Sequence, residues 1–236
     1  MKAPVICIDG PAASGKTTIA RVLADELGFF YLDTGVLYRA VTWVAIERGI
    51  APDDGEGLAK LAEEMTIEVK PAPSGDPRQT VVLADGDDVS LAIRSPQVDA
   101  NVSEVSAHPE VRLALIDVQR SVADKGGVIL AGRDTGTVVW PEAEVKIFLV
   151  ASDEERARRR QRQAEEQGTH LDFDTVLAEL RRRDAYDSGR AVAPLKPAED
   201  AVTVDTTDLT IEQVVEKVLD VVQRRTGTKV DPSRQV

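Results

Sequence analysis

The feature that most constrains the fold of this chain is the sequence GPAASGKTT at residues 10–18. It matches the pattern G-x-x-x-x-G-K-T from Gly10 to Thr17 and follows a short apolar run that ends in Asp9. Apolar residues then recur at helical spacing, so the motif lies between a predicted strand and a predicted helix. Small residues let backbone N–H groups surround a polyphosphate, and the helix N-terminus adds positive potential. The sequence therefore predicts a phosphate-binding loop in an α/β fold.

We expect this loop to bind a nucleoside triphosphate with Mg²⁺. Lys16 is expected to reach the β- and γ-phosphates, and the Thr17 hydroxyl group to ligate the metal ion. The residues predicted to line this site are Gly10, Pro11, Ala12, Ala13, Ser14, Gly15, Lys16, Thr17 and Thr18. The loop alone is compatible with motors, switches, transporters and kinases. A guanine-dependent switch would usually carry an N-K-x-D motif, which this sequence lacks.

Strand-like and helix-like segments alternate along the rest of the chain. Further strands are predicted at residues 29–33, 128–131, 145–150 and 201–205. Thr34 is predicted to cap the second helix, and Thr210 with Gln213 the last one. Residues 50–98 instead hold three short strand-like runs, MTIEVK, TVVLAD and DVSLAI, separated by turn signals. We therefore predict a parallel α/β sheet with a small antiparallel β insertion, and a polar tail after Gly227.

The composition excludes several classes of protein. The formal net charge of −12 argues against broad nucleic-acid binding, which needs many cations. One cysteine, Cys7, cannot form an internal disulfide, and two histidines leave little for a histidine-based metal centre. We find neither a signal peptide nor a window of about 18 apolar residues. We expect a cytoplasmic protein that binds small molecules, not nucleic acids or membranes.

The stretch VILAGRDTGTVVW, residues 128–140, places Arg133 beside Asp134 where an apolar run ends. A surface turn would explain this pair without any function. However, an open α/β sheet binds its ligand at the carboxyl ends of its parallel strands. The glycines on both sides leave room for a ligand and for a reversal of the chain. We therefore predict that Arg133 and Asp134 belong to a ligand site.

Other arginines form three groups that could bind a second phosphate. They are Arg39 after the predicted Thr34 cap, Arg183 and Arg190 around Asp187, and the five arginines from Arg156 to Arg162. A solvated arginine, a surface salt-bridge ladder and ordinary i,i+4 pairs, Glu154 with Arg158 and Glu155 with Arg159, would explain them without function. Phosphoryl transfer between two anions needs cations on both, and arginines on a lid would exclude water. Together the groups favour a phosphotransferase.

Six segments of the chain, in the right order, resemble bacterial cytidylate kinases, which are nucleoside monophosphate kinases. They are IDGPAASGKTT, LDTGVLYRA, NVSEVSAHPEVR, AGRDTGTVV, ASDEERARRR and RRDAYDSGRAVAPL, and TVDTTDLTIEQVVEKV extends the match to about residue 220. The resemblance implies a P-loop kinase core, residues 1–49 and 108–236, with a helical arginine-rich lid at about 153–190. Residues 50–107 would be the monophosphate-binding insertion. It further implies phosphorylation of CMP and dCMP by ATP with Mg²⁺, in a protein that is typically a monomer.

The resemblance also implies roles for single residues, with ATP held by Gly10–Thr18. The residues that it assigns to CMP are Thr34, Arg39, Ser103, Arg112, Arg133, Asp134, Arg183, Asp187 and Arg190. Of these, Arg39, Arg133 and Arg190 would bind the phosphate, Ser103, Arg112 and Asp134 the cytosine edge, and Arg183 and Asp187 the ribose. The catalytic set would be Lys16, Arg133, Arg183, Arg190, Arg156 and Arg160. A carboxylate accepts from the cytosine amino group and repels the uracil carbonyl, so such a site would disfavour UMP.

One position departs from the family pattern. Family members often carry an acid just before the GRD motif, whereas this chain has Ala131. Because that acid would help to hold hydrated Mg²⁺, we expect Asp33 to take over much of this work through water, beside Thr17. Asp9 is expected to support the phosphate loop. Two alternatives stay open: a kinase for another monophosphate such as UMP, and a P-loop nucleotide-binding protein without acceptor chemistry.

Overall fold

The computed structural model describes residues 2–73, 80–166 and 168–228. Within these residues the chain forms eight strands and eight α-helices. The strands are β1 Val5–Asp9, β2 Phe30–Asp33, β3 Ile67–Pro71, β4 Thr80–Ala84, β5 Asp87–Asp88, β6 Val128–Gly132, β7 Val145–Val150 and β8 Val202–Asp205. The helices are α1 Lys16–Leu27, α2 Gly35–Glu47, α3 Gly55–Glu64, α4 Pro96–Val105, α5 Pro109–Ala123, α6 Asp153–Glu166, α7 Phe173–Gly189 and α8 Ile211–Thr226. Most of the turn signal between the predicted strands MTIEVK and TVVLAD, and nearly all of the polar tail, lie outside the described residues.

Five strands form one sheet in the order β2-β6-β1-β7-β8, and each adjacent pair is parallel. The register places Asp9 of β1 opposite Gly132 of β6, and Asp33 of β2 opposite Ala131. Every residue of β1 and β6 is buried, because helices cover both faces of the sheet. The predicted parallel α/β core is confirmed, and three of its strands end together at one edge.

An apolar cluster lies on each face of the sheet, and successive residues of β6 alternate between the two. Leu130 belongs to the cluster that includes α2 and α5. Ile129 and Ala131 belong to the cluster that includes α1 and α8. By the same alternation, Asp33 lies on the α1 side of the sheet and Asp9 on the opposite side. At the carboxyl edge of the sheet, the side chains of Asp33 and Asp9 therefore lie on opposite faces.

The helix ends test two of the predicted caps. The capping box of α8 is confirmed: Thr210 Oγ1 accepts from the Gln213 backbone N–H, and the Gln213 side chain accepts from the Thr210 N–H. The predicted Thr34 cap is wrong, because the Thr34 side chain makes no capping bond. Its hydroxyl donates to the Ala131 carbonyl oxygen at 3.1 Å, and its N–H donates to the same oxygen at 2.9 Å. Thr34 thus joins the end of β2 to the end of β6.

The region after residue 50 contains the predicted antiparallel sheet, in the order β3-β4-β5. The third predicted strand is wrong for most of its length. The Asp88 carboxylate accepts from the N–H and hydroxyl of Ser90, which turns the chain toward a short 3₁₀ helix at Ala92–Arg94. Helices α3 and α4 were not predicted. Their buried side chains, such as Leu58 and Val98, join the cluster on the α2 side, so this region packs against the main sheet.

Candidate active site

The loop between β1 and α1 passes very close to β7. Gly10 has φ 152°, and a Cβ atom there would lie 2.1 Å from the Leu149 carbonyl oxygen, so no side chain fits. Lys16 is buried, and its Nζ donates to the Pro11 carbonyl oxygen at 2.6 Å. The ammonium group is therefore folded back over the loop. A polyphosphate in the loop would meet this ammonium group and the N-terminus of α1 together.

Lys16 lies in the field of several other charged groups. Burial lowers the pKa of its ammonium group well below the ordinary value, and Arg133 and Arg183 lower it further. Asp33 and Asp9 act in the opposite direction. Arg133 follows β6 and Arg183 belongs to α7, so the phosphate loop and the predicted second arginine group meet at one place. Cations that repel one another in this way favour a bound anion between them.

Arg183 is the least compensated of these cations. No hydrogen bond or ion pair links its guanidinium to another residue in the described part of the chain, and its Nε is buried without a partner. Burial, followed by the charge of Arg133, lowers its pKa to about 10 although Asp187 opposes them. A desolvated charge without a partner is costly. This arrangement is therefore suited to receive an anionic ligand.

Asp187 bridges two of the predicted acceptor arginines. Its carboxylate accepts from Arg133 Nε at 2.8 Å and from Arg190 Nη2 at 2.5 Å. Burial alone would raise the pKa of Asp187, but Arg133 and Arg190 outweigh it and the pKa lies below the ordinary value. Arg190 also donates to the Ser106 hydroxyl at 3.1 Å. The structure thus brings together the arginines that the sequence pattern grouped, with Arg183 one helical turn before Asp187.

A buried ion pair lies beside this group. Arg112 Nη2 and Asp134 Oδ2 are 2.6 Å apart, and each side chain is only 6% exposed. The Arg112 guanidinium also lies 5.0 Å from the centre of the Tyr38 ring and donates to the Ser106 carbonyl oxygen at 3.0 Å. The Ser106 hydroxyl donates to the carbonyl oxygen of Ser103 at 3.1 Å. A small cavity opens here, and two of the three predicted base-reading residues, Arg112 and Asp134, line it.

Asp9 braces the segment that follows Arg133 and Asp134. Its Oδ1 accepts from the N–H and the hydroxyl of Thr135, both at 2.9 Å, and its Oδ2 accepts from the Gly136 N–H at 2.8 Å. The expectation that the Asp9 side chain supports the phosphate loop is therefore wrong, because its carboxylate supports the acceptor side of the site instead. Its backbone nevertheless leads straight into that loop. Asp9 is a direct link between the two halves of the site.

Replacing Asp9 by asparagine should flatten the pH dependence of stability. Burial, against the hydrogen bonds from Gly136 and Thr135, raises the pKa of Asp9 from 3.8 to about 6. Folding therefore takes up a proton between these values, so the Asp9 contribution to stability falls by about 2 kcal/mol as the pH rises from 4 to 6. Urea denaturation of wild type and Asp9→Asn at pH 4.5 to 7 measures this difference. Parallel stability curves for the two proteins would contradict the assignment.

Thr17 and Asp33 are the predicted partners of Mg²⁺. Asp33 Oδ1 accepts from the Gly35 N–H at 3.0 Å, and Ala131 lies directly opposite in the sheet, on the same α1 side. No group of three or more His, Cys, Asp or Glu residues among those described could hold a metal ion. Mg²⁺ commonly takes one or two protein oxygens and completes its shell with water and phosphate oxygens. A hydroxyl and a carboxylate at this edge fit that requirement.

Helices α6 and α7 form the predicted lid region. They pack together through Ala157, Val176 and Leu180, and Ala12 and Ala13 of the phosphate loop pack against the same cluster. The two helices therefore lie directly against the predicted donor site. A lid must lie next to the phosphates that it closes over, so the position of the two helices fits this role.

The arginines of α6 have different surroundings. Arg156 is buried, donates to the Ala12 carbonyl oxygen at 3.1 Å and pairs with Asp184 at 2.6 Å. Arg160 is exposed and donates to Gln163 at 3.1 Å. The structure places Arg156 against the backbone of the phosphate loop, and it does not join Arg160 to the other site residues.

The two predicted i,i+4 pairs of α6 have different outcomes. Glu155 pairs with Arg159 at 3.1 Å, which is confirmed. The pair of Glu154 with Arg158 is wrong. Arg158 pairs with Glu155 at 3.6 Å, while Glu154 pairs with Arg181 at 3.2 Å. Packing of α7 beside α6 brings Arg181 within reach, which the helical spacing alone does not show.

Comparison with known proteins gives the family of the chain. Residues 6–224 match the family model described as cytidylate kinase. A protein named cytidylate kinase from Anoxybacillus flavithermus is 48% identical over 93% of this chain and 96% of its own. Another of that name, from Carboxydothermus hydrogenoformans, is 49% identical over 93% and 97% of the two chains. The chain belongs to the cytidylate kinase family.

Among solved structures, this member of the cytidylate kinase family is similar to an uncharacterized protein from Eubacterium ventriosum. The TM-score is 0.51 at 12% sequence identity, and the match covers 95% of this chain and 100% of the other. At this identity the similarity concerns the fold alone. The cytidylate kinase assignment therefore rests on the sequence matches.

Two residues of this cytidylate kinase site were not predicted from the sequence. Ser106 contacts Arg190 and Arg112, as described above. Asp99 accepts from Arg39 Nη2 at 2.6 Å, while Arg39 Nη1 donates to a backbone carbonyl oxygen at 3.0 Å. A prediction of α4 would have indicated Asp99, because it lies four residues before Ser103 on the same helix. Ser106 caps the end of that helix and would have followed from the same prediction.

Proposed function

We propose that the protein transfers the γ-phosphoryl group of ATP to CMP and dCMP, which gives ADP with CDP or dCDP. One observation carries this proposal: Arg133 and Arg183 lie close enough to Lys16 to lower its pKa. The donor loop and the arginines predicted to bind the acceptor therefore share one site, as phosphoryl transfer requires. Membership of the cytidylate kinase family supports cytidine nucleotides as the acceptors.

The acceptor phosphate is proposed to bind Arg39, Arg133 and Arg190, with Thr34 at the base of the site. Arginines suit this role because their planar fork can donate two hydrogen bonds to a phosphate. Asp187 would hold Arg133 and Arg190 in place and offer its remaining lone pairs to ribose hydroxyls. Its pKa below the ordinary value supports this role, because the carboxylate stays ionised and accepts only.

The base is proposed to be recognised by Asp134, Arg112 and Ser103. Cytosine presents an amino donor that Asp134 can accept, and ring acceptors that Arg112 and the Ser103 hydroxyl can satisfy. Uracil would turn a carbonyl toward the carboxylate. Because the Arg112–Asp134 pair is buried, such a mismatch would leave a desolvated group without a partner, which costs several powers of ten in specificity.

In the proposed reaction, an oxygen of the acceptor phosphate attacks the γ-phosphorus of ATP in line with the leaving ADP oxygen. One phosphorus–oxygen bond forms as the other breaks. Lys16 and Arg183 would stabilise the charge on the transferred group, and the lid at about residues 153–190, with Arg156 and Arg160, would exclude water. Residues 50–107 would form the acceptor-binding insertion on a core of residues 1–49 and 108–236.

Mg²⁺ is the proposed cofactor, held by Thr17 directly and by Asp33 through water. Bound there, it would neutralise phosphate charge. Asp33→Asn should therefore raise the Mg²⁺ concentration for half-maximal rate about tenfold. Asparagine keeps the acceptor for the Gly35 N–H, so the fold at this point should not change. A Mg²⁺ titration of the rate tests this, and an unchanged optimum and rate in the variant would reject the role of Asp33.

The proposed partners are ATP, CMP and dCMP, and we propose a monomer that works in the cytoplasm. A net charge of −12 supports small anionic ligands bound by clustered arginines rather than a nucleic acid. In the described part of the chain, no helix is long and apolar enough to cross a lipid bilayer.

A coupled assay of ADP formation across CMP, dCMP, UMP, AMP and dTMP tests the proposed acceptor. We expect CMP and dCMP to give the highest kcat/KM, with UMP well behind. Higher values for AMP or dTMP would show that the base assignment is wrong.

A further inference from the structure

Arg39 is held by a part of the molecule that is separate from the other acceptor arginines. It lies on α2, and both of its partners come from the region after residue 50. Nη1 donates to the carbonyl oxygen of Ile93 at 3.0 Å, and Nη2 donates to Asp99 Oδ1 at 2.6 Å. Arg133 and Arg190 are instead held by Asp187. The acceptor cations are therefore neutralised by two carboxylates of different origin.

The position of Asp99 is fixed by its helix. Ser95 caps α4 by accepting from the Val98 N–H, and Val98 and Val102 are buried against the cluster that includes α2. Asp99 projects from the first turn of this helix, and Ser103 follows one turn later. Because residues four apart share a face, α4 presents a carboxylate and a predicted base-reading hydroxyl to the same region.

The charge of Asp99 is felt inside the acceptor site. It raises the pKa of Arg183, while Arg39 lowers it, so both partners of this ion pair lie within electrostatic range of Arg183. A phosphate bound between Arg39 and Arg183 would thus lie near the Asp99 carboxylate. Two like charges so placed repel each other unless one of them moves away.

Asp99 differs from Asp187 in its freedom to move away. The Asp187 side chain is 2% exposed and paired with two arginines, so it cannot leave without large cost. The Asp99 side chain is 40% exposed and pairs with an arginine that is 25% exposed. An ion pair of this kind is worth little, and water can replace the arginine as its partner.

We propose that Asp99 competes with the acceptor phosphate for Arg39 and thereby weakens the binding of the phosphate-bearing nucleotide. Without ligand, Asp99 neutralises Arg39. When the nucleotide binds, its phosphate takes the guanidinium and Asp99 turns to solvent. Asp99 is thus a determinant of acceptor affinity that touches Arg39 rather than the reacting atoms. The inference rests on the proposed function, because it assumes that Arg39 binds the phosphate of CMP.

The test measures the dissociation constants of CMP and of cytidine by calorimetry for wild type and Asp99→Asn. The variant should bind CMP three- to tenfold more tightly and cytidine equally well, because cytidine carries no phosphate to compete. Glu104→Gln is the matched control: it neutralises an exposed carboxylate of the same helix and should change neither constant. In an Arg39→Ala background, Asp99→Asn should no longer affect CMP.

Three outcomes would overturn the proposal. Weaker CMP binding by Asp99→Asn would mean that Asp99 positions Arg39 for the phosphate. Unchanged CMP binding would mean that the pair has no influence on the site. An equal effect on cytidine would mean that the substitution acts through the structure of α4. Failure of the proposed function is distinguishable, because wild type would then neither bind CMP nor form CDP.

Discussion

Replacing Arg183 by alanine should lower kcat for CMP about 100- to 1000-fold, without loss of stability in the unliganded protein. Arg183 has no hydrogen bond or ion pair with any other described residue, and Arg133 repels it. The native fold therefore gains little from its charge. The bound phosphates, in contrast, would depend on it. Steady-state rates and the melting temperature of the same preparations measure both effects.

Arg182→Ala is the matched control for this prediction. Arg182 is exposed and precedes Arg183 on α7, so its removal takes away one positive charge from the same helix. The kcat of the Arg182→Ala variant should stay within about twofold of the wild-type value. A drop of several degrees in the melting temperature of Arg183→Ala, with little change in kcat, would show that Arg183 is structural.

Asp134→Asn should reduce the preference for CMP over UMP at least about a hundredfold. An asparagine amide can turn its NH₂ group toward the uracil carbonyl, whereas the carboxylate can only accept. The same change removes the charge partner of Arg112, with both side chains 6% exposed, so stability should fall by about 3–5 kcal/mol. Values of kcat/KM for the two nucleotides and urea denaturation check the two parts separately.

The control for Asp134→Asn is Asp124→Asn, which neutralises a carboxylate whose side chain is 76% exposed. It should change stability by less than about 1 kcal/mol and leave the CMP to UMP ratio unchanged. If the ratio also stays unchanged in Asp134→Asn, the assignment of Asp134 to the base is wrong. A loss of stability alone would then identify a purely structural ion pair.

The parts of the fold that could be predicted are those in which local pattern and burial agree. Buried runs such as that of β6 and the helical spacing after Gly15 gave the parallel core correctly. Helix α3 was missed because its sequence, GEGLAKLAEE, contains two glycines and buries only a few side chains, among them Leu58 and Leu61. Its helical state depends on packing against the main cluster, which the local sequence does not show.

In the candidate site, the sequence indicated which residues would belong to the site, but it did not indicate which residues would pair with one another. Arg133 and Asp134 could be singled out because charges end an apolar run, yet they do not pair with each other. Arg133 pairs with Asp187 across 54 residues of chain, and Asp134 pairs with Arg112 across 22. Such contacts are set by strand order and helix packing. The neutralisation of the acceptor arginines by carboxylates therefore became visible only in the structure.

The most direct test of the central claim follows the γ-phosphate of labelled ATP in the presence of CMP. A shared donor and acceptor site predicts that the label appears in CDP, in equal amount to the ADP formed, and that little is released as free phosphate. A label that passes to inorganic phosphate at the same rate with or without CMP would contradict the account. In that case the arginines at this edge of the sheet would not form an acceptor site.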